Sequence, residues 1–372
     1  MEYDKIIALI KREVVPAVGC TEPVAVALCA SVAAEALQAE PDDISVRLSA
    51  NMLKNAMGVG IPGTGMIGLP IAVVLGALVG KPEDELEVLK SVTPADVERG
   101  KAYLASHRVD IALESDNDEK LYIEVEMHVA GHSSRAVISG SHTFVSRVER
   151  DGVVLRDALS SGDGDCDAVD VELTLRLVYD FAMTVPVEKI EFISEAARLN
   201  MAAAETSFNG DYGHGLGRIL RHDNELRIMG DTLFSRILAY TSGACDARMS
   251  GAMVPVMSNS GSGNQGIAAT VPVVVYGREC GASHEQMLRA LILSHLTVIY
   301  IKHSLGRLSA LCGCVVAATG SSCGITYLMG GGYDEVSYAV KNMVANLTGM
   351  ICDGAKPSCS LTVSYTHLTL PT

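Results

Sequence analysis

An α+β fold, predominantly helical with a small antiparallel-sheet α/β insertion, is predicted by three observations in this 372-residue chain. Apolar residues recur at helical spacing from the start to about residue 104, alternate with period two from about 108 to 154, and return to helical spacing beyond Asp170. The division that follows is a helical domain, first part, over 1–104, an α+β insertion over 105–190, and the helical domain, second part, over 191–362.

Taken in order, residues 4–15 read as one helix and 23–39 as a second, which Pro23 starts because a first helical residue has no bonded N–H to lose. Pro41, Asp42 and Asp43 make a turn, and more helix follows. The uncharged run 55–80 is long enough to cross a bilayer. Its glycines and prolines, among them Gly58, Gly60, Pro62, Gly63, Gly65 and Gly68, break it into loop, which would leave backbone groups unsatisfied in lipid. It reads as a buried loop followed by a buried helix from about 69 to 78. Residues 108–114, 121–128 and 134–139 alternate, marking an antiparallel sheet of roughly three to five strands. The acidic Gly/Ser stretch 160–165 is the linker out of that sheet, and glycine-rich loops punctuate the later helices at 210–217, 258–266 and 330–332.

With 48% hydrophobic residues and 20% charged, the chain can bury a large core. Aromatics are 5% and Trp is absent, so small-residue helices packed closely are expected. The net charge of −15 argues against nucleic-acid partners and anionic membranes, whose phosphates require the opposite sign. Residues 1–11 are charged and amphipathic, unlike a secretory signal, so a soluble cytoplasmic protein with reduced thiols is expected.

Five of the ten cysteines lie between Cys312 and Cys359, and such clustering calls for a soft metal. There are no paired C-x2-C zinc motifs, and the six-residue gap between Cys352 and Cys359 is not the run of small ferredoxins. Spacing leaves two readings open: an iron–sulfur cubane held by scattered cysteines, or several buried cysteines with no shared role.

Gly63-Thr64-Gly65-Met66-Ile67-Gly68 and Gly261-Ser262-Gly263-Asn264-Gln265-Gly266 share the pattern G-[ST]-G-x-x-G, each before an apolar run. Neither follows a convincing strand, so a dinucleotide fingerprint is not indicated. Two readings remain, a pair of helix N-termini that hold a carboxylate, or glycines that allow close helix packing. The polar residues of the second loop, with Asn51, Lys54 and Asn55 near the first, fit a ligand cavity better than a dry core.

The segments around Gly19-Cys20-Thr21-Glu22-Pro23, 51–65, 260–266, Lys302-His303-Ser304-Leu305-Gly306-Arg307, Leu311-Cys312-Gly313-Cys314 and 352–359 together resemble the L-cysteine desulfidase family, related to the alpha domain of bacterial iron–sulfur L-serine dehydratases. The resemblance implies a lyase that uses a [4Fe-4S] cluster and no pyridoxal phosphate to convert L-cysteine to pyruvate, ammonia and sulfide, with L-serine as the alternative substrate. It places the metal ligands at Cys312, Cys352 and Cys359, with Cys314 as rival to Cys312 because residues two apart point to different helix faces. Cys20 becomes the candidate base or transient fourth ligand and Lys54 a second candidate for base. Substrate contacts are expected from Asn51, Asn55, Thr64, Gly65, Ser262, Gly263, Asn264 and His303.

Outside the lyase class, a zinc or thiol redox protein using Cys312, Cys314 and Cys323 stays open, as does a transport or scaffold component read from the uncharged run. The oligomeric state is left open, with a homodimer among the options. The family pattern ends near Leu361, and the string 362–372 resembles read-through of a sequencing adapter, so residues 363–372 are expected to be a non-native tail.

Overall fold

Ile44, Val46 and Leu48 alternate with half-buried Asp43, Ser45 and Arg47, and that period of two makes Asp43–Leu48 a strand in the computed structural model. The structure describes residues 2–115, 119–158, 171–305, 311–347, 349–352 and 354–368. The fold is α+β and mostly helical, as the sequence predicts.

The strand Asp43–Leu48 pairs parallel with Arg108–Leu113 and antiparallel with Tyr122–Val129. Antiparallel neighbours then follow in the order His132–Ser139, Val145–Arg150 and Val153–Asp157. The result is a six-stranded mixed sheet, where the sequence predicts three to five antiparallel strands. The difference lies in Asp43–Leu48, which stands in the region read as helical and joins its parallel partner only through a long helical crossover.

Helix Thr21–Leu37 lies on this sheet and crosses helix Leu69–Val79, the buried helix expected after the glycine loop. At the crossing a Cβ on Gly76 would stand 2.3 Å from the Ala27 carbonyl oxygen, so glycine is what lets the two backbones meet. Ala25, Ala30, Val73, Leu75, Val125 and Ile138 belong to the first core, built by these helices and the sheet.

A second core unites the helices Leu175–Thr184, Ser194–Phe208, Leu233–Met249, Gly263–Glu279, His284–Leu305 and Gly313–Leu328. The first helix, Glu2–Glu13, packs into this second core through Ile6, Leu9 and Ile10, and the ring of Tyr3 meets that of Phe181 edge-on at 5.2 Å. Strand Pro16–Val18 then pairs antiparallel with Pro255–Met257 before the chain turns into helix Thr21–Leu37 of the first core. That path carries residues 19–22 across the junction between the cores. Residues 359–368, mostly within the string read as a tail, form helix Cys359–Leu368 with Val363 and His367 buried. Among the described residues no helix is long and apolar enough to cross a membrane. The linker expected at 160–165 lies outside the described residues.

Candidate functional site

Cys20, Cys312, Cys314, Cys352 and Cys359 line one cavity of about 110 Å³ at the junction of the two cores. Chain segments far apart in sequence are brought there by a small set of backbone contacts. Cys312 N–H donates to the Met350 carbonyl at 2.6 Å and Leu311 bridges Ile351, which lays the segment before Cys352 beside Cys312. Lys54 Nζ donates to the Cys352 carbonyl at 3.2 Å. On the far side, Gly19 has φ +76, and a Cβ there would meet Pro62 Cγ at 2.3 Å, so only glycine fits before Cys20.

Four helices begin at this cavity. Cys20 caps Thr21–Leu37, Ser262 caps Gly263–Glu279, Cys312 caps Gly313–Leu328, and Cys359 opens the last helix. Each helix start carries a partial positive charge of about half a unit, so the cavity favours thiolates and carboxylates. Ser262 spends its hydroxyl on the Gln265 N–H, whereas Cys20 and Cys312 make no capping bond with their thiols. Their sulfurs are left for other partners.

The Cys20 thiol donates to Glu22 Oε2 at 3.2 Å, and Glu22 Oε1 accepts from Asn55 Nδ2 at 3.1 Å. Burial, reinforced by the Glu22 charge, holds the Cys20 thiol well above its usual range. Burial likewise lifts Cys359 to about 11, while Cys314 is raised first by its hydrogen bond with Cys312 and then by burial. In the cluster-free protein these sulfurs are therefore protonated. Arg248 lies 2% exposed in the wall, its Nε on the Gly19 carbonyl at 3.1 Å and its Nη1 on Asn264 Oδ1 at 2.9 Å. Lys302, 5% exposed, is a second buried cation in the lining, and desolvation lowers its pKa.

Comparison with known proteins assigns the chain to a family. A family model described as serine dehydratase alpha chain matches residues 83–367. The chain belongs to the serine dehydratase alpha chain family. A UPF0597 protein of Bacteroides fragilis is 65% identical over 364 residues, covering 98% of this chain and 85% of the relative. UPF0597 proteins of Bacteroides thetaiotaomicron and Aeromonas hydrophila are 62% and 47% identical, each over 98% of this chain and covering 85% and 83% of the relative.

For a serine dehydratase alpha chain family member the donor set can be tested against an iron–sulfur cluster. Among the described residues no three His, Cys, Asp or Glu side chains gather around a single ion position. A cubane makes a different demand, because each cysteine binds a different iron at its own corner. Soft donors around a common cavity, ringed by helix starts that offset anionic charge, fit that group.

Other expected site residues fall in different places. Asn55, Ser262 and Asn264 line the cavity. Gly263 stands behind it, where a Cβ would strike Arg248 Nε at 2.2 Å. Asn51 and Lys54 sit on helix Ala50–Ala56 outside the lining, and His303 is exposed on its helix. Thr64 and Gly65 are also outside it, since Thr64 Oγ1 closes its own turn onto the Ile61 carbonyl and the loop rests on the Gly251 carbonyl through Gly63 N–H. Of the two glycine loops, only 261–266 reaches the cavity. Cys323 is fully buried in a helix interior, raised to about 12 by desolvation, and lies outside the lining. Cys312 and Cys314 both face the cavity, because Cys312 is an extended cap residue to which a helical wheel does not apply. Sequence reasoning gave no role to Glu22, His142, Arg248 and Lys302, whereas Gln265 was among the loop residues expected at a ligand cavity. The available signals were Glu22 inside the quoted 19–23 motif and Arg248 three residues after Cys245 in a small-residue stretch of its helix.

Proposed function

We propose that this chain is a lyase that carries out α,β-elimination on a small L-amino acid, with L-cysteine as substrate and pyruvate, ammonia and sulfide as products. The observation that carries this reading is the meeting of Cys20, Cys312, Cys352 and Cys359 with Glu22 and Arg248 around one cavity. Membership of a family whose model is described by serine dehydratase supports elimination on an amino acid.

Cys312, Cys352 and Cys359 are the residues that would hold a [4Fe-4S] cluster. Bound through three cysteines, such a cluster supplies a soft Lewis acid for the departing group at Cβ, and softness favours sulfur over oxygen. The chain supplies the rest. The Cα–H of a free amino acid is weakly acidic and needs a positioned base. Cys20 and Glu22 are that base as a pair: the thiol proton passes to Glu22, the sulfur takes the Cα proton, and the Glu22 proton remains for the leaving group. Asn55 holds the second Glu22 oxygen and keeps the carboxylate turned to the thiol. Lys54 steadies the Cys352 backbone. The released 2-aminoacrylate hydrolyses in water to pyruvate and ammonia without further help.

L-Serine is the second reading, favoured by the description of the family model, and uses the same residues. The deciding experiment is anaerobic reconstitution with iron and sulfide followed by parallel assays on L-cysteine and L-serine. Higher kcat/KM for L-cysteine, read as sulfide and pyruvate in equal amounts, is expected. Preference for L-serine overturns the choice of sulfur, and no pyruvate from either substrate overturns the lyase.

A further inference from the structure

In the same cavity one cation has no ion-pair partner among the described residues, and two acceptors have no donor. The hydrogen bonds of Arg248 go to the Gly19 carbonyl, Asn264 Oδ1 and Met249 Sδ, and no Asp or Glu among the described residues forms an ion pair with it. A guanidinium keeps its charge at any physiological pH, and a buried charge without a counter-ion is strongly unfavourable. Gln265, 4% exposed, and Asn55 line the cavity with Arg248, and their carbonyl oxygens Oε1 and Oδ1 are buried with no hydrogen-bond partner. The Asn55 amide is held in orientation by its Nδ2 donation to Glu22, which reserves Oδ1 for a donor from elsewhere. Buried polar groups in folded proteins are satisfied almost without exception, so three incomplete groups around one small space describe the ligand that completes them.

We propose that Arg248 anchors an α-carboxylate and that the carbonyl oxygens of Gln265 and Asn55 accept from an α-ammonium, so that this cavity recognises the zwitterionic end of an α-amino acid. The inference rests on the proposed function for its location and adds the recognised atoms. A carboxylate takes two N–H donors from a guanidinium in one plane, which a lone amine or an amide cannot reproduce. An ammonium offers only donors, and a bare carbonyl oxygen only accepts, so the Gln265 and Asn55 end selects against a second anion. The side chain is left to the thiol-lined part of the wall.

The test separates recognition from turnover. L-Alanine has the zwitterion and no leaving group at Cβ, L-lactate replaces the ammonium with a hydroxyl, and ethylamine lacks the carboxylate. In anaerobic calorimetric titrations of the full chain, L-alanine is expected to bind, and L-lactate and ethylamine to bind about 10- to 100-fold more weakly, the worth of a lost charged hydrogen bond. Arg248→Gln is expected to weaken L-alanine by the same factor and Arg248→Lys to recover part of it, with circular dichroism reporting that each variant is folded. Equal affinity of the parent for all three molecules, no L-alanine binding to the parent, or a folded Arg248→Gln protein that binds L-alanine like the parent overturns the proposal. The comparison of ligands on the parent stands even if both variants fail to fold. Selective L-alanine binding without pyruvate release from any β-substituted amino acid keeps the zwitterion site and removes the lyase. Turnover of L-cysteine without selectivity among the three ligands does the reverse.

Discussion

The Cys20 thiol donates a hydrogen bond to the Glu22 carboxylate at 3.2 Å, both residues sitting at the start of one buried helix. The direction of that bond assigns the proton to sulfur in the resting protein. A protonated thiol cannot take a proton from Cα, so the base role proposed for Cys20 requires that it pass its own proton to Glu22 first. Packing surrounds the unit, since Cys20, 3% exposed, lies against Val59, Met249 and Cys359.

Glu22→Gln removes the proton acceptor while keeping shape and the Asn55 contact within reach. Turnover on L-cysteine is expected to fall by about 10²–10⁴-fold, the usual worth of a positioned acid–base group, with iron content unchanged. Cys20→Ser is expected to do the same, and the double variant to lose no more than either single, because two groups that work as a unit are not additive. Full activity in Glu22→Gln, measured as anaerobic sulfide release, removes this residue from the chemistry.

Acid stability has a specific weak point in His295, fully buried beneath the loop 258–266. Its Nδ1 accepts from Asn259 Nδ2 at 3.0 Å and its Nε2–H donates to Thr270 Oγ1 at 2.9 Å, which passes its own proton to the Gly266 carbonyl. Protonation at Nδ1 would set two donors face to face, and desolvation lowers the pKa from 6.5 to about 3. Because the folded value lies below the unfolded one, this stability is complete above about pH 6.5 and is lost as pH falls toward 3. The slope is about 1.4 kcal/mol per pH unit for one proton. Urea unfolding of His295→Gln is expected to show a lower midpoint than the parent at pH 7.5 and a smaller further loss at pH 5. A variant that loses as much as the parent between those values places the acid sensitivity elsewhere.

The parts of this picture legible in the sequence are those with a local signature. Alternation over 121–128 gives the strand Tyr122–Val129, and an apolar run behind Gly68 gives helix Leu69–Val79. Strand Asp43–Leu48 alternates just as clearly, yet its partners lie far along the chain and its neighbours are helices, so its short pattern has nothing local to support it. The two G-[ST]-G-x-x-G loops look alike because glycine serves close packing and ligand access equally. Gly63 rests against Met253, while the second loop caps a helix at the cavity. Arg248 escapes a sequence reading because its burial depends on Gly19, Asn264 and Met249 meeting around it.

Gly76→Ala tests the first core. In an isolated helix that change is favourable by up to about 1 kcal/mol. Here the added Cβ would meet Ala27 backbone atoms at 2.3 to 2.9 Å, and backbone cannot swing aside as a side chain can. Overpacking costs about 1–3 kcal/mol, so net destabilisation is expected, seen as a lower thermal midpoint by circular dichroism. An unchanged or higher midpoint means that helices Thr21–Leu37 and Leu69–Val79 stand further apart than described.

The ligand set is open to direct removal. Cys312, Cys352 and Cys359 each contribute one soft donor to the cavity, and a cubane that loses one of three protein ligands is not retained against chelation. After anaerobic reconstitution the parent is expected to absorb broadly near 400 nm, with about four irons per chain. Cys312→Ser, Cys352→Ser and Cys359→Ser are each expected to lose most of that colour. Cys323→Ala is the control, since its sulfur is buried outside the cavity wall, and it is expected to keep the iron. Cys314→Ala settles the rivalry with Cys312. Cys314 is 5% exposed and hydrogen-bonded with the Cys312 thiol, whereas Cys312, less buried, caps its helix without spending its sulfur there. Iron retained in Cys314→Ala and lost in Cys312→Ser is therefore the expected pattern, and the opposite pair of results exchanges the two roles.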